Sequence, residues 1–309
     1  MSLWAQSRLL RIGDDDFPLA AELWGRPDAR AVACGVDGVA VTEAGGAPVL
    51  DWRPVAGDFD PARCWLLDAD RAWFALNTGD GSWCSPSTQR TLSAQSGEGE
   101  HQEPSPLREV WPLLGDEEAA AAVAAVALVS WHESHGFCSA CGCQTEVRPG
   151  GYVRDCPRCG AEHFPRIDPA IIVALVDNRD RLLLGGQSTW GKRRSVFAGF
   201  VMAGESLEQA VHREVGEEVG LAIDHVHYFG SQPWPFPRSL MVAFTAHVEN
   251  PDALHVDGHE IVRADWFTRQ QVLQAWGDGT IDPPPPMSIA RRLINMWLDI
   301  SHPETSPLQ

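Results

Sequence analysis

The chain has 309 residues, of which 44 % are hydrophobic and 21 % are charged, and its formal net charge is −18. This length allows two or three domains, and so acidic a chain does not hold nucleic acid mainly through the phosphates. No run approaches the roughly 18 apolar residues of a membrane span and no secretory signal is recognisable, so we expect a cytoplasmic protein with no membrane partner.

Residues 1–115 are expected to form an N-terminal, sheet-rich α+β domain. Short apolar runs alternate there with turn residues, and residues 68–70 are expected to connect two strands as a hairpin. The polar segment 93–106 predicts an exposed loop. No pair of catalytic groups stands at a persuasive spacing in this region, so we expect it to support folding or dimerisation.

A long helix is predicted at residues 116–134. The segment begins with three acidic residues, which suit the positive end of the helix dipole, and continues with alanines, which are the best helix formers. We expect this helix to link the N-terminal domain to the segments that follow.

Two CxxC pairs, separated by fourteen residues, lie within residues 135–164. This spacing is typical of a zinc ribbon, and four thiolates complete a tetrahedral shell with no open position for water, so the zinc would be structural. The predicted ligands are Cys138, Cys141, Cys156 and Cys159. Zinc ribbons also occur in modules that contact RNA, but Arg148, Arg154 and Arg158 supply only a weak basic patch here.

Residues 165–309 are expected to form the catalytic domain. The apolar run 171–176 predicts a buried strand, and other strands are expected on both sides of an acidic helix. These other strands are predicted at 181–184, 195–197, 226–229 and 240–248. A last helix is expected to begin after Ser288. Because strands and helices interleave, the fold class is α/β, arranged as a sandwich.

The acidic helix is predicted to run for about 13 residues between Ser206 and Gly220. Ser206 suits the N-cap position, Gln209 completes a capping box, and Gly220 suits the position after the last turn. One face of the helix carries apolar residues that can pack on a core.

Three carboxylates, Glu214, Glu217 and Glu218, share the other face of this helix because they stand at i, i+3 and i+4. Carboxylates so close together repel one another unless a cation is present, which favours a site for a hard cation such as Mg²⁺ or Mn²⁺. A solvated acidic surface is the alternative at this point. Arg213 is expected to point away from Glu214, to pair with Glu205 and to orient the preceding loop.

A wider pattern includes these carboxylates: Gly199, five residues, Glu205, seven residues, and then the segment 213–221 with the sequence REVGEEVGL. It resembles the Nudix box at nine defining positions. The resemblance implies a Nudix α/β/α sandwich and the metal-dependent hydrolysis of a nucleoside diphosphate linked to another group.

A second informative stretch, SQPWPFPRS, occupies residues 231–239 and is interpreted as a loop. Its three prolines stiffen the chain, so the side chains are held in place at a small entropic cost. Trp234 and Phe236 can stack on a flat base, and Gln232 and Ser239 can form hydrogen bonds with amide or ribose groups. A rigid turn that only packs on the core is the alternative.

The zinc ribbon, the Nudix box and the sequence SQPWPFP together resemble the NADH pyrophosphatase family, whose members also remove NAD caps from RNA 5′ ends. The resemblance implies structural Zn²⁺, catalytic Mg²⁺ or Mn²⁺, NAD(H) and NAD-capped RNA as partners, and a homodimer. It also implies that Glu260 reaches the metals bound by Glu214, Glu217 and Glu218. One of Glu217, Glu218 and Glu260 would accept a proton from the attacking water. The implied substrate contacts are Phe164, Ala198, Phe200, Gln232, Pro233, Trp234, Pro235, Phe236, Pro237, Arg238, Ser239 and Ala290.

Three positions depart from the family pattern. Gly216 is unusual inside the box helix and costs about 1 kcal/mol of helix stability relative to alanine. Phe164 stands where the family often has Tyr, so a hydroxyl contact would be missing, and Gly151 stands where some members have a substrate-contacting Glu. Two alternatives stay open. One is a Nudix hydrolase of ADP-ribose, a dinucleoside polyphosphate or coenzyme A, and the other is a zinc-ribbon RNA-binding module with an inactive Nudix region.

Overall fold

The computed structural model describes residues 15–78 and 104–299. Internal contacts divide the chain into two compact units. Among the described residues, the catalytic unit comprises 167–234 and 239–299, and the N-terminal unit comprises 15–78, 104–166 and 235–238. The predicted loop at 93–106 lies, as far as residue 103, outside the described residues. The finer division at residues 115, 134 and 164 stays a proposal.

The N-terminal unit contains three sheets. Its strands are β1 Arg30–Cys34, β2 Gly38–Val39, β3 Val41–Ala44, β4 Ala47–Leu50, β5 Arg53–Pro54, β6 Cys64–Asp68, β7 Trp73–Asn77, β8 Ser105–Pro106, β9 Glu146–Val147, β10 Arg154–Asp155 and β11 Glu162–His163. The largest sheet has the order β6-β7-β1-β2-β8, with β5 on β1. The hairpin predicted at residues 68–70 is confirmed, because β6 pairs with β7 in antiparallel fashion.

The helices of the N-terminal unit are α1 Ala20–Trp24, α2 Leu107–Val110 and α3 Asp116–Ser134. The bounds of α3 are those that the sequence predicted. Its buried residues include neighbours in sequence, such as Ala121, Ala122 and Val123, so more than one side of the helix is covered. Small alanine side chains allow this close packing.

The catalytic unit is built on one mixed sheet. Its strands are β12 Asp168–Asp177, β13 Leu182–Gly186, β14 Phe197–Phe200, β15 Asp224–Trp234, β16 Ser239–Val248 and β17 Arg263–Phe267. Its helices are α4 Leu207–Val219, α5 Arg269–Gly277 and α6 Ile289–Trp297. The sheet has the order β15-β16-β12-β13-β17, with β14 on β12, and β12 runs parallel to β16 along its whole length.

Strand β12 separates two hydrophobic cores. Its side chains alternate across the sheet: Ile171 and Val173 pack in the core with α4, while Ile172 and Ala174 pack in the core with α6. Both faces of the sheet are therefore covered by helices, and the expected α/β/α sandwich is confirmed.

Two segments differ from the sequence prediction. The strand predicted at 195–197 begins at Phe197 and continues to Phe200, so it includes Gly199. The stretch 232–239, which was interpreted as a loop, is mostly strand: β15 extends to Trp234 and β16 starts at Ser239, which leaves a four-residue connection. The three prolines had favoured a loop, but edge strand β15 tolerates Pro233 because its outer backbone groups pair with no other strand of the described sheet. Among the described residues, no helix is both long and apolar enough to cross a membrane.

Candidate metal and nucleotide site

Helix α4 is fixed at both ends by the caps that the sequence predicted. The Ser206 side chain accepts a hydrogen bond from the Gln209 backbone at 3.2 Å, and the Gln209 side chain accepts one from the Ser206 backbone at 2.8 Å. Gly220 ends the helix with a left-handed φ of 65°. Val211 and Val215 face the core, so the register of the helix directs its carboxylates away from the apolar face.

Arg213 connects three carboxylates. Its guanidinium donates to Glu205 at 2.8 and 2.9 Å, to Glu214 at 2.8 Å and to Glu217 at 2.9 Å. A further bond, of 2.9 Å, goes to the Phe200 carbonyl. The predicted pairing with Glu205 is confirmed, whereas the expectation that Arg213 points away from Glu214 is wrong. The guanidinium has five N–H donors in a planar fork, so one side chain can serve the loop, the strand and the helix together.

Gly199 leaves room for the Glu214 carboxylate against strand β14. A methyl group added at Gly199 would lie 1.9 Å from Cδ and 2.0 Å from Oε1 of Glu214, which is closer than non-bonded atoms approach. Glycine is therefore required here by contact and not by backbone conformation. Gly216, inside the helix, has no neighbour within 4 Å of an added methyl group.

Glu218 is the most buried carboxylate of the box, with 4 % of its surface exposed. Its Oε2 atom has no hydrogen-bond partner in the part of the chain that the structure describes. Burial, together with the negative charges of Glu260 and Glu214, raises the pKa of Glu218 to about 8. The influence of Glu260 on Glu218 indicates that this later segment approaches the helix, as the family resemblance implied.

Asp257 links the segment that contains Glu260 to α4. The sequence alone did not identify this residue. The Asp257 backbone N–H donates to the Glu218 carbonyl at 3.1 Å, while its side chain accepts from the backbones of Glu260 at 3.0 Å and Ile261 at 2.9 Å. The bond from the Glu260 backbone is the main reason that the pKa of Asp257 is lowered. The Asp-Gly dipeptide at 257–258, a common turn signal, could have identified this connection.

The carboxylates predicted to bind divalent ions lie on α4 and on the segment that contains Glu260, but their oxygen atoms do not converge on one point. No three of Glu214, Glu217, Glu218 and Glu260 bring ligand atoms within 4.8 Å of one another; among the described residues the four cysteines are the group that does. Glu214 and Glu217 are held by Arg213, and Glu217 has 62 % of its side chain exposed. Oxygen donors near a buried, unpartnered carboxylate atom nevertheless fit a hard divalent cation.

Gln232 does not face solvent. Its side chain is fully buried, donates to the Met287 carbonyl at 2.8 Å and accepts from the Ile289 backbone at 2.7 Å. The expectation that this side chain binds an amide or ribose group is wrong for the structure, because its amide oxygen and nitrogen already have partners within the protein. Through these two hydrogen bonds, Gln232 links strand β15 to the start of α6. Ala290, in the first turn of α6, is also buried.

The tip of the hairpin belongs by its contacts to the N-terminal unit. The Arg108 guanidinium lies 3.8 Å from the centre of the Phe236 ring, and the Trp111 ring centre lies 6.4 Å from it. Phe236 thus has neighbours on its ring that a stacked base would have to displace. Pro237 is exposed and Arg238 is half-buried in the same turn.

The other predicted substrate contacts differ in exposure. Phe200 is 59 % exposed and Phe164 is 61 % exposed, so both rings are available for stacking, each within its own unit. Ala198, Trp234 and Ser239 are half-buried.

The four cysteine thiols form a compact cluster. All four sulfur atoms lie within 4.8 Å of one another, with Cys138 and Cys159 at 3.6 Å and Cys141 and Cys156 at 3.4 Å. A tetrahedral Zn²⁺ with Zn–S bonds of about 2.3 Å places its sulfur atoms about 3.8 Å apart, so the cluster fits structural zinc.

Two matching turns create this cluster. Gly142 N–H donates to the Cys138 carbonyl and Gly160 N–H donates to the Cys156 carbonyl, each at 2.9 Å. Both glycines have left-handed φ values, of 70° and 72°, which residues with a Cβ rarely adopt. Cys143 stands outside the cluster, as expected from its spacing.

Two of the three arginines of the expected basic patch, Arg148 and Arg154, are engaged within the protein. Arg148 is paired with Asp155 and Glu162, and buried Arg154 donates to Thr145 and to His132. These contacts leave little of the expected weak basic patch for RNA phosphates.

Gly151 has a structural reason to lack a side chain. Its φ is +90°, and an added methyl group would lie 2.4 Å from the Trp65 ring. The neighbouring His132 donates through Nε2 to the Gly151 carbonyl at 2.9 Å and accepts at Nδ1 from Arg154 at 2.8 Å. Burial lowers the pKa of His132 to about 3, so it is neutral in this network.

Comparisons with known proteins match two segments of the chain. Residues 166–284 match the NUDIX domain model, and residues 133–164 match the model of the NADH pyrophosphatase zinc ribbon domain. A protein from Mycobacterium bovis (strain BCG / Pasteur 1173P2) named NAD-capped RNA hydrolase NudC is 41 % identical over 200 residues, which cover 62 % of this chain and 64 % of that protein. The Homo sapiens protein named NAD-capped RNA hydrolase NUDT12 is 37 % identical over 201 residues, which cover 61 % of this chain and 43 % of that protein. The match therefore spans less than two thirds of the length of either relative.

The chain is also similar to solved structures. The crystal structure of a NUDIX hydrolase from Nitrosomonas europaea is 21 % identical and has a TM-score of 0.41, covering 53 % of this chain and 90 % of that chain.

Proposed function

We propose that this chain hydrolyses the pyrophosphate bond of NAD(H) to NMN(H) and AMP. In its sequence, a segment that matches the NADH pyrophosphatase zinc ribbon precedes a segment that matches the NUDIX domain. We also propose that the chain removes the NAD cap from RNA 5′ ends. The observation that carries the proposal is the set of box carboxylates that Gly199 and Arg213 position on α4, in a chain that also has a four-cysteine ribbon. Two relatives that match this chain over about 200 residues are named NAD-capped RNA hydrolases.

The residues that would hold divalent ions are Glu214, Glu217, Glu218 and Glu260. We propose Mg²⁺ or Mn²⁺, because all four groups are oxygen donors. When bound, such ions neutralise the phosphates and make a water molecule easier to deprotonate. The cysteine cluster would hold Zn²⁺ in a structural role, since its four thiols leave no position for a substrate.

The reaction breaks one P–O bond and forms another. The oxygen of water attacks one phosphorus atom of the diphosphate, the bridging oxygen leaves with the other phosphate, and two monophosphates result. One of Glu217, Glu218 and Glu260 accepts the proton of the attacking water. Arg213 has a positioning role: by holding Glu205, Glu214 and the Phe200 carbonyl, it fixes the glycine-containing strand and the helix in one arrangement.

Phe200 is the residue we assign to stacking on the nicotinamide or adenine ring, because it is exposed at the end of β14 and its backbone is held by Arg213. Trp234 and Ser239 lie at the two ends of the hairpin connection and are assigned to the same dinucleotide. A homodimer and a cytoplasmic location complete the proposal, on the basis of the family resemblance and the composition.

The experiment that tests the proposal is product analysis by chromatography. The full chain is incubated with NADH and either Mg²⁺ or Mn²⁺, and we expect NMNH and AMP in equal amounts. ADP-ribose, a dinucleoside polyphosphate and coenzyme A are compared at the same concentration. A turnover of any of these that exceeds that of NADH by ten-fold or more would replace NAD(H) as the substrate while leaving the reaction class intact.

NAD-capped RNA forms the last arm of this experiment. We expect release of NMN and an RNA with a 5′-monophosphate. Because the net charge is −18, the RNA should be held mainly at its cap, so the rate should change little between short and long RNA. A strong dependence on RNA length would contradict this mode of binding.

A further inference from the structure

Three histidines line a cavity on the face of the catalytic sheet that α6 covers. The cavity has a volume of about 800 Å³, and His225, His227 and His247 all line it. Its floor includes Ala174 and Thr245, on the central strands. The box carboxylates belong to α4, which packs with the core on the opposite face, so this cavity is separate from the proposed catalytic site.

We propose that the three histidines form a binding site for a transition-metal ion of the Zn²⁺ class. Imidazole nitrogen is a preferred ligand of Zn²⁺, Co²⁺ and Ni²⁺, and three imidazoles are enough for a stable site with a water molecule as the fourth ligand. The proposal does not depend on the proposed hydrolase function.

The strand geometry explains how the histidines come together. In the pairing of β15 with β16, Asp224 lies opposite His247 and His227 lies opposite Thr245, with an irregularity between the two pairs. Two residues of β15, at 225 and 226, thus lie opposite one residue of β16, at 246, which is a β-bulge. Without the extra residue, positions 224 and 227 would point to opposite faces of the sheet, because side chains alternate along a strand. His225, with a φ of 47°, lies within this bulge.

The three rings stand apart in the chain without an ion, because among the described residues the four cysteines, and not these histidines, already bring their ligand atoms within 4.8 Å of one another. The His225 ring centre lies 6.4 Å from that of His227, with the rings 15° from parallel, and 6.2 Å from that of His247. Three imidazoles on one tetrahedral ion, with metal–nitrogen bonds of about 2.0 Å, have ring centres about 5 Å apart. The ring centres of these two pairs must therefore close by more than about 1 Å. Because His225 and His227 are exposed, their side chains can rotate to do so.

Asp224 orients one of the three ligands. Its Oδ1 atom lies 2.8 Å from Nδ1 of His247, which leaves Nε2 of His247 for the metal. A carboxylate on the second nitrogen is the usual support of a metal-binding histidine, because it fixes the ring and increases its basicity. The cation that lines the cavity, Arg269, is paired with Asp180 and donates to the Trp297 carbonyl, so its charge is balanced within the protein.

The test is a titration of the full chain with Co²⁺, followed by calorimetry and absorbance. The cysteines are first loaded with Zn²⁺, and excess Mg²⁺ occupies the box carboxylates. We expect one Co²⁺ per chain to bind with the weak absorption of nitrogen and oxygen ligands, without the strong bands of thiolate ligands. The affinity should fall at least ten-fold in His247→Asn and in the double variant His225→Asn/His227→Asn.

Two controls make the result decisive. His212→Asn removes an exposed histidine from α4, on the other face of the sheet, and should bind Co²⁺ as the unchanged chain does. Glu218→Gln alters the box and should also retain the Co²⁺ site. Without metal, the variants should unfold at the same temperature as the unchanged chain, and Co²⁺ should raise the unfolding temperature only where the histidines are intact. Equal Co²⁺ affinity in the double variant and the unchanged chain would overturn the proposal.

Discussion

The cysteine cluster and the box carboxylates are both candidate metal sites, but the chain prepares them differently. The four thiols already lie within 4.8 Å of one another, held by two turns whose glycines adopt left-handed conformations. The carboxylates come from α4 and from the segment that contains Glu260, and no three of them converge to that distance. Arg213 balances the charge of Glu214 and Glu217, while Glu218 is buried with an oxygen that has no partner among the described residues.

The difference follows from charge and from sequence distance. Neutral thiols can approach one another before a metal binds, and a local backbone turn is enough to place each pair. Carboxylates repel at short range, so a site built from them is stabilised by a cationic partner or carries a raised pKa, and Glu218 shows the second effect. Substitutions in the cysteine cluster should therefore change stability most, whereas substitutions of the box carboxylates should change activity most.

The largest effect should come from the cysteine cluster. Cys156→Ser removes one zinc ligand, and because structural zinc supplies on the order of 10 kcal/mol to such small domains, the ribbon should unfold. We expect zinc content near zero and loss of the ordered ribbon, measured by metal analysis and hydrogen exchange. Cys143→Ser, which changes a neighbouring thiol outside the cluster, should keep both zinc and order. Retention of stoichiometric zinc by Cys156→Ser would remove the distinction between the regions.

The next effect concerns the contact between Gly199 and Glu214. Gly199→Ala would place a methyl group 1.9 Å from the Glu214 carboxyl carbon, so the carboxylate or the strand must move. We expect overpacking to cost about 1–3 kcal/mol of unfolding free energy. We expect the rate of AMP release from NADH to fall by roughly 10²-fold, because a ligand displaced by about 1 Å no longer fits the reacting group. Normal activity in a folded Gly199→Ala protein would show that the position of Glu214 is unimportant.

Several parts of the molecule were predictable from sequence because local chemistry determines them. The caps of α4, the bounds of α3 and the ligands of the cysteine cluster all depend on residues within one turn or one CxxC unit. The alternation of β12 between two cores also follows from its apolar run.

Other parts depend on contacts between distant segments. The burial of Gln232 requires α6 to lie against β15, and the position of Glu260 requires Asp257 to bond with the Glu218 carbonyl. The branching of Arg213 to three carboxylates depends on where the loop with Glu205 folds back. The order of residues along the chain shows none of these contacts. A substrate role assigned from sequence position alone, such as that of Gln232, can therefore be wrong.

A smaller effect should appear in the dependence of stability on pH. His132 is buried and neutral, with a pKa lowered by burial to about 3, whereas an unfolded histidine has a pKa of about 6.5. Below pH 6.5 the unfolded chain takes up a proton that the folded chain does not, so this residue lowers stability as the pH falls toward 3. The slope should be about 1.4 kcal/mol per pH unit within this range.

The matched variant for this prediction is His132→Gln, which can still donate to Gly151 and accept from Arg154. It should be less stable than the unchanged chain at pH 7, and the difference should narrow as the pH is lowered to 4. Denaturant unfolding at several pH values measures it. A constant difference in unfolding free energy across this range would contradict the inference that protonation of His132 in the unfolded chain lowers stability at low pH.

The smallest effect is expected inside α4. An added methyl group at Gly216 meets no atom within 4 Å, and glycine inside a helix costs about 1 kcal/mol relative to alanine. Gly216→Ala should therefore raise the unfolding free energy by up to about 1 kcal/mol and leave AMP release unchanged. Thermal unfolding and a steady-state assay measure both. Loss of activity in this variant would indicate that the helix must bend at Gly216 during the reaction, which would weaken the account of a rigid α4.

The central claim is that the box carboxylates act in catalysis at the expense of stability, and Glu218→Gln tests it most directly. AMP release from NADH with Mg²⁺ or Mn²⁺ is measured together with the unfolding temperature at pH 7, and the exposed Glu208→Gln serves as the control on the same helix. We predict a fall in rate of at least roughly 10³-fold for Glu218→Gln. Its unfolding temperature should equal or exceed that of the unchanged chain, because a neutral amide replaces a buried acid. Full activity in Glu218→Gln, or an equal loss of activity in Glu208→Gln, would contradict the account.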